Sequence, residues 1–141
     1  MAIKQLSVFL ENKQGRLWKS LKLLKSENID IRALSIADTS DFGILRMIVS
    51  DPEKAKSLLE NDFAVSLAEV LAIEVEDQPG GLEGALGLLN EHDINVEYIY
   101  AFVEKRTSKA LIVLKTDDNV KSLKLLKENN YSIVEDEAYT I

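Results

Sequence analysis

Apolar positions alternate along residues 3–10, with Leu6, Val8 and Leu10 on one face, and this predicts a strand. The period then changes. Leu17, Leu21 and Leu24 recur at i, i+4 and i+7, one face of a helix over about residues 15–27. Residues 29–37 are β-branched and apolar and read as a second strand. Asp38-Thr39-Ser40-Asp41-Phe42-Gly43 is a turn cluster that leads into a third strand over residues 44–49. Asp51-Pro52-Glu53 has the form of a helix start: an N-cap acceptor, a proline whose missing N–H costs nothing there, and an acid facing the helix dipole. That helix carries Ala55, Leu58 and Leu59, and Phe63, Val65 and Leu67 make a fourth strand. The order is β-α-β-β-α-β.

The pattern then starts again. Asn12-Lys13-Gln14-Gly15-Arg16-Leu17 has a second copy in Asp77-Gln78-Pro79-Gly80-Gly81-Leu82, in the register that carries Gly15 onto Gly80. In the same register Leu21 and Leu24 fall on Leu86 and Leu89, and Asn28-Ile29-Asp30-Ile31 falls on Asp93-Ile94-Asn95-Val96. The second half reads as a strand over 71–75, a helix over about 80–92 and a strand over 95–102. A turn at Lys105-Arg106-Thr107-Ser108 leads to a strand over 110–114, then to a helix from about Asp117 and a last strand over 131–134. With no Pro/Gly/Ser linker, the repeats are expected at 1–68 and 69–141, joined rigidly through residues 68–70. The alternating tail Ala138-Tyr139-Thr140-Ile141 reads as an extra C-terminal strand over 137–141, at the edge of a sheet.

Two helices on one face of a four-stranded antiparallel sheet is the ferredoxin-like plan, so the fold class is α+β with two such repeats. A sheet wet on one side alternates cleanly. Here the face assigned to solvent also carries Phe9, Leu34, Ile36, Ile44 and Ile48, then Val70, Ile99, Leu111 and Val113. The helix-free faces are therefore expected to be buried, against the sibling repeat or another chain, and at least a dimer is expected. Val96, Tyr98, Tyr100 and Phe102 read as one core-facing side of their strand.

Composition removes whole classes of function. A net charge of −7 over 141 residues argues against nucleic acid or an anionic membrane as partner. The absence of cysteine excludes disulfides, thiolate metal sites and thiol nucleophiles. The N-terminus turns polar too early for a signal peptide and no run reaches membrane-span length, so a cytoplasmic location is expected. The single histidine, His92, falls at a helix end, where the dipole or plain exposure accounts for it. No catalytic constellation, metal-ligand spacing or phosphate loop is present, so no catalytic residue, metal or cofactor is expected. Asp117-Asp118 reads as a helix start and Glu135-Asp136-Glu137 as a solvated run.

The doubled loop is the candidate site. A glycine between a strand and a helix lets backbone N–H groups approach a ligand, and with the helix dipole they suit a carboxylate. Asp30 and Asn95 follow Gly15 and Gly80 at the same spacing. Each is expected to start a strand running beside its loop, where it would accept from an ammonium group. The plain alternative is that Asn12 and Asp77 are helix caps and the glycines turn residues.

The pattern Asn/Asp-x-x-Gly-x-Leu after a strand, with Asn-Ile-Asp-Ile or Asp-Ile-Asn-Val beyond the helix, resembles the ACT domain family over essentially the whole chain, twice. That resemblance implies βαββαβ regulatory modules that bind amino acids, and stand-alone tandem proteins of bacteria in particular. It implies ligand contacts from Asn12, Gly15 and Asp30, and from Asp77, Gly80 and Asn95, with backbone contributed around Arg16, Leu17, Gly81 and Leu82. Gln14 stands where proline is usual, whereas Pro79 keeps the pattern. The two sites are chemically mirrored, Asn then Asp against Asp then Asn, so one composite site or two are both open. The expected function is a non-catalytic sensor of a free amino acid bound at the interface of its repeats, regulating a partner or its own assembly as a homodimer. The alternative is a regulatory subunit that serves mainly to hold an amino-acid-metabolism enzyme.

Overall fold

The computed structural model describes residues 2–38, 41–103 and 108–141. The expected turns at Thr39-Ser40 and Lys105-Arg106-Thr107 lie outside the described residues. The chain divides into two compact units, essentially residues 4–68 and 69–139.

The first unit runs β1 (Ile3–Glu11), α1 (Arg16–Ser26), β2 (Ile31–Asp38), β3 (Phe42–Val49), α2 (Pro52–Leu59) and the beginning of β4 (Ala64–Glu76). Its strands lie in the order β2-β3-β1-β4. β1 and β2 are each antiparallel to β3, so they run the same way, as a strand–helix–strand crossover requires. The second unit continues from β4 through α3 (Gly81–Glu91), β5 (Val96–Ala101), β6 (Lys109–Thr116), α4 (Asn119–Glu128) and β7 (Ile133–Val134). Its order is β5-β6-β4-β7. Both are α+β, ferredoxin-like βαββαβ units. Residues 68–70, expected as a joint between two strands, lie inside one uninterrupted β4.

The duplication extends to the cores. Leu6, Val8, Leu10, Leu24, Ile29, Met47 and Val49 are buried in the first. Their counterparts in the repeat register, Leu71, Ile73, Val75, Leu89, Ile94, Ile112 and Leu114, are buried in the second. Capping separates the helices of each unit into two kinds. α2 begins at Asp51, whose carboxylate accepts from the Lys54 N–H at 3.1 Å, and α4 begins at Asp118, which accepts from Lys121 at 3.0 Å. α1 and α3 begin instead at Gly15 and Gly80, with φ of 87° and 85° and no side-chain cap. Asn12 and Asp77 cap neither helix.

Three expectations are corrected. Residues 136–139 form a 3₁₀ turn where the alternating tail pointed to a strand. A register shift between Ile31 and Ala33 reverses which residues of β2 face which side. Leu34 and Ile36 consequently lie opposite Met47 and Leu45, on the helix face, instead of on the helix-free one. They stay 38% and 50% exposed because β2 is the edge strand. The equivalent shift between Val96 and Tyr98 puts Val96 and Ile99 against the helix-side core. Tyr98 and Tyr100 thereby leave the face shared with Val96. Of the other residues assigned to the helix-free faces, Ile48, Val70, Leu111 and Val113 are buried, Ile44 is half-buried and Phe9 is exposed.

Candidate functional site

Both loops are built by the same hydrogen bonds. Lys13 N–H donates to the Glu11 carbonyl, Arg16 N–H to Lys13 and Lys19 N–H to Gly15, at 2.8, 3.3 and 2.9 Å. In the second unit Gln78 donates to Glu76, Gly81 to Gln78 and Gly84 to Gly80, each at 3.0 Å. The left-handed glycine turns the chain into the helix without offering a side-chain acceptor. Among the described residues, the first-turn N–H groups of Leu17 and Trp18, and of Leu82 and Glu83, have no acceptor. Uncapped N–H groups at a positive dipole end are suited to a carboxylate.

A partly enclosed cavity of about 150 Å³ lies at the first loop. Leu10, Leu17 and Ile36 supply its apolar wall, and Asn12, Glu11, Lys13 and Asp38 its polar rim. Pockets for drug-sized molecules are about 300–1,000 Å³, so this one fits a ligand of few heavy atoms. Asp38 ends β2, and because β2 runs parallel to β1 its last residue reaches the same end of the sheet as the loop. The Lys13 ammonium, 3.0 Å from Glu11, hydrogen-bonds that carboxyl and holds it below the usual glutamate value. The pair is exposed and so screened by salt. A depressed carboxyl pKa contributes stability that is present above the unfolded value, about 4.3, and lost as pH falls through the lower folded one. Titration of the Glu11 side chain by carbon NMR should give a midpoint below that of free glutamate. The midpoint should rise toward the ordinary value in Lys13→Ala, the largest cause being removed while Arg16 still lowers it.

Asp30 and Asn95 are placed elsewhere in their own units. Each immediately precedes its strand, at the far end of an eleven-residue helix from the glycine, about 16 Å away at 1.5 Å per residue. The Asp30 N–H donates to Ser50 Oγ at 2.9 Å, and its carboxylate meets Arg32 at 3.2 Å. The Asn95 N–H donates to Asp117 Oδ1 at 3.2 Å. Their neighbours Asn28 and Asp93 have φ of 57° and 58°, the left-handed residues that terminate α1 and α3. Part of that motif is therefore a helix stop. The Arg16 side chain also turns away from the loop, stacking on the Phe63 ring at 4.4 Å and donating to the Asp62 carbonyl at 3.2 Å.

At the second loop Asp77, Gly80, Gly81 and Leu82 repeat the turn, with different chemistry around it. Asp77 stands for Asn12, Ala101 for Ile36 and Val103 for Asp38. The carboxylate at the strand end thus belongs to the first unit. Asp38, which the residue pattern marked only as a turn former, becomes a site candidate through strand direction.

No group of histidine and acidic residues arranged to hold a metal occurs among the described residues. His92 caps α3, its Nδ1 3.0 Å from the Leu88 carbonyl. No described helix is long and apolar enough to cross a membrane.

The family model for the ACT domain pair matches residues 1–141. The chain belongs to the ACT domain pair family. This ACT pair is similar to the crystal structure of protein BT0572 from Bacteroides thetaiotaomicron, at 40% identity over 100% of this chain and 98% of that one, with a TM-score of 0.93. Its fold is also that of the ligand-free regulatory subunit of aspartate kinase from Thermus thermophilus, at 11% identity over 90% and 92% of the two chains and a TM-score of 0.62. The corresponding subunit from Thermus flavus is 14% identical over 89% and 90%, with a TM-score of 0.61. No curated protein matches the chain.

Proposed function

We propose that this ACT domain pair is a non-catalytic regulatory module that binds a free amino acid at the glycine loop of its first unit. The observation that carries the reading is the small cavity where the open first turn of α1 meets Asp38. There the ligand carboxylate takes the Leu17 N–H that lines the cavity and the Trp18 N–H next along the same open turn, the ammonium faces Asp38 and the Asn12 amide, and a short side chain lies on Leu10, Leu17 and Ile36. The second loop, with Asp77, Gly80, Gly81 and Leu82, offers the same N–H groups with a different polar complement. Asp30 and Asn95, just before β2 and β5, lie away from the loop of their own unit. Bound ligand orders the loop and shifts the equilibrium of a partner or of the chain's own assembly, by as much as its affinity differs between the two states.

Calorimetric titration with the twenty amino acids is the test. We expect binding by one amino acid, or one small chemical class, at micromolar to millimolar affinity. Asp38→Asn, which removes a charged acceptor from the rim, should weaken it roughly 10- to 100-fold. Silence across the panel contradicts the proposal.

A second reading is favoured by the full-length fold likeness to aspartate kinase regulatory subunits: a subunit whose main work is to hold an amino-acid-metabolism enzyme. Stoichiometric co-purification of such an enzyme, unchanged by any amino acid, would select it.

A further inference from the structure

The outer faces of α1 and α3 have diverged in opposite senses since the duplication. α1 carries Arg16, Lys19, Lys22 and Lys25 and no acidic residue, whereas α3 carries Glu83 and Glu91 and no basic one. Trp18 stands on the basic face 66% exposed, with the Lys22 ammonium 4.9 Å from its ring centre. Beside it runs a groove of about 550 Å³, lined by Trp18, Lys19, Lys22 and Leu23 among others. In the repeat register Trp18, Lys19 and Lys22 become Glu83, Gly84 and Gly87. There the surface is hollow, a recess of about 370 Å³ lined by those three with Leu88, Glu91 and Tyr131. One face projects an indole beside the Lys22 ammonium, with Lys19 next to it 3.4 Å from the Asp62 carboxylate. The other is a notch between carboxylates.

We propose that the α1 face of one copy docks into the α3 recess of a second copy, with Trp18 entering beside Gly87 and the Tyr131 hydroxyl that stands next to Gly84, and Lys22 and Lys19 facing Glu83 and Glu91. Charge supports a second copy as the occupant. Chains of net charge −7 repel one another, so a contact between copies is favoured where surfaces of opposite sign meet, and these two helices supply them. The complementarity is also one of shape, because Lys19 and Lys22, which project in the first copy of the helix, are reduced to glycine in the second. An exposed tryptophan flanked by cations has the composition of an interface anchor. Because different surfaces meet, each copy offers two contacts, so the association closes as a two-fold dimer or a ring, or extends. It stands independently of amino-acid binding.

Sedimentation equilibrium of the full chain tests it. Wild type should self-associate, less so in high salt, and Trp18→Ala should weaken association roughly 30-fold, the loss expected of an interface anchor. Reversal of either face, Lys19→Glu with Lys22→Glu or Glu83→Lys with Glu91→Lys, should leave a folded monomer by circular dichroism. Mixed in equal amounts, the two reversed chains should associate again, because the native α1 face of one meets the native α3 recess of the other and the two reversed faces are also opposite in sign. A monomeric wild type, association indifferent to these changes, or reversed chains that fail to pair would overturn the proposal. So would binding of monomeric wild type to phosphatidylserine vesicles through Trp18, which would assign the basic face to a membrane.

Discussion

Gly81→Ala is expected to destabilise the second unit by about 3 kcal/mol. A Cβ on Gly81 would lie 1.9 Å from the Glu76 carbonyl oxygen and 2.9 Å from its carbon. Neither atom belongs to a side chain that can swing aside. That oxygen also accepts the Gln78 N–H at 3.0 Å, so moving it breaks the turn. Gly80 is the control. It needs a left-handed φ of 85°, yet a Cβ there meets nothing within 4 Å, so Gly80→Ala should cost only the backbone term of about 1–2 kcal/mol. The first unit accepts Arg16 at the equivalent position, in a turn whose closing bond is longer, 3.3 Å against 3.0 Å. Urea unfolding of both variants decides the matter. A Gly81→Ala protein as stable as wild type would mean that the loop is not the close-packed turn described.

Leu24→Ala should cost about 2–5 kcal/mol, and Leu17→Ala less than about 1 kcal/mol, although both lie on one helical stripe. Leu24 is 1% exposed within the first core, so its truncation leaves a cavity. Leu17 is 38% exposed and lines the loop cavity. Its truncation should be felt in ligand binding more than in stability. Thermal unfolding of the two variants, paired with titration of the amino acid that wild type binds, separates the roles. Equal loss of stability in both would place Leu17 in the core and remove it from the site.

The repeat carried most of the architecture. The register that sets Gly15 on Gly80 extends to the paired cores and to two loops with matching hydrogen bonds. The Asp51 and Asp118 helix starts were equally plain, because the residue that makes a cap is also its signature. Strand faces were less legible. A register shift inserts no unusual residue, yet it moved Leu34, Ile36 and Ile99 to the opposite side of their sheets. Period-two reasoning has no means of sensing that shift.

The candidate site was half visible for a related reason. Glycine spacing located the loop, but which end of β2 meets it depends on β1 and β2 running the same way, a property of topology. That direction brings Asp38 to the loop and carries Asp30 away from it. The capping role considered for Asn12 and Asp77 failed because a left-handed glycine can itself start a helix. The same glycine leaves open the N–H groups on which the functional proposal stands.

Amide chemical shifts of Leu17 and Trp18 test that proposal most directly. On titration of the isotopically labelled chain with the amino acid that binds, both amides should shift along a single isotherm that matches the calorimetric one. They should stay fixed with an amino acid that does not bind. A ligand that saturates the protein while these two amides remain unmoved would contradict the account, since its carboxylate would then be held elsewhere.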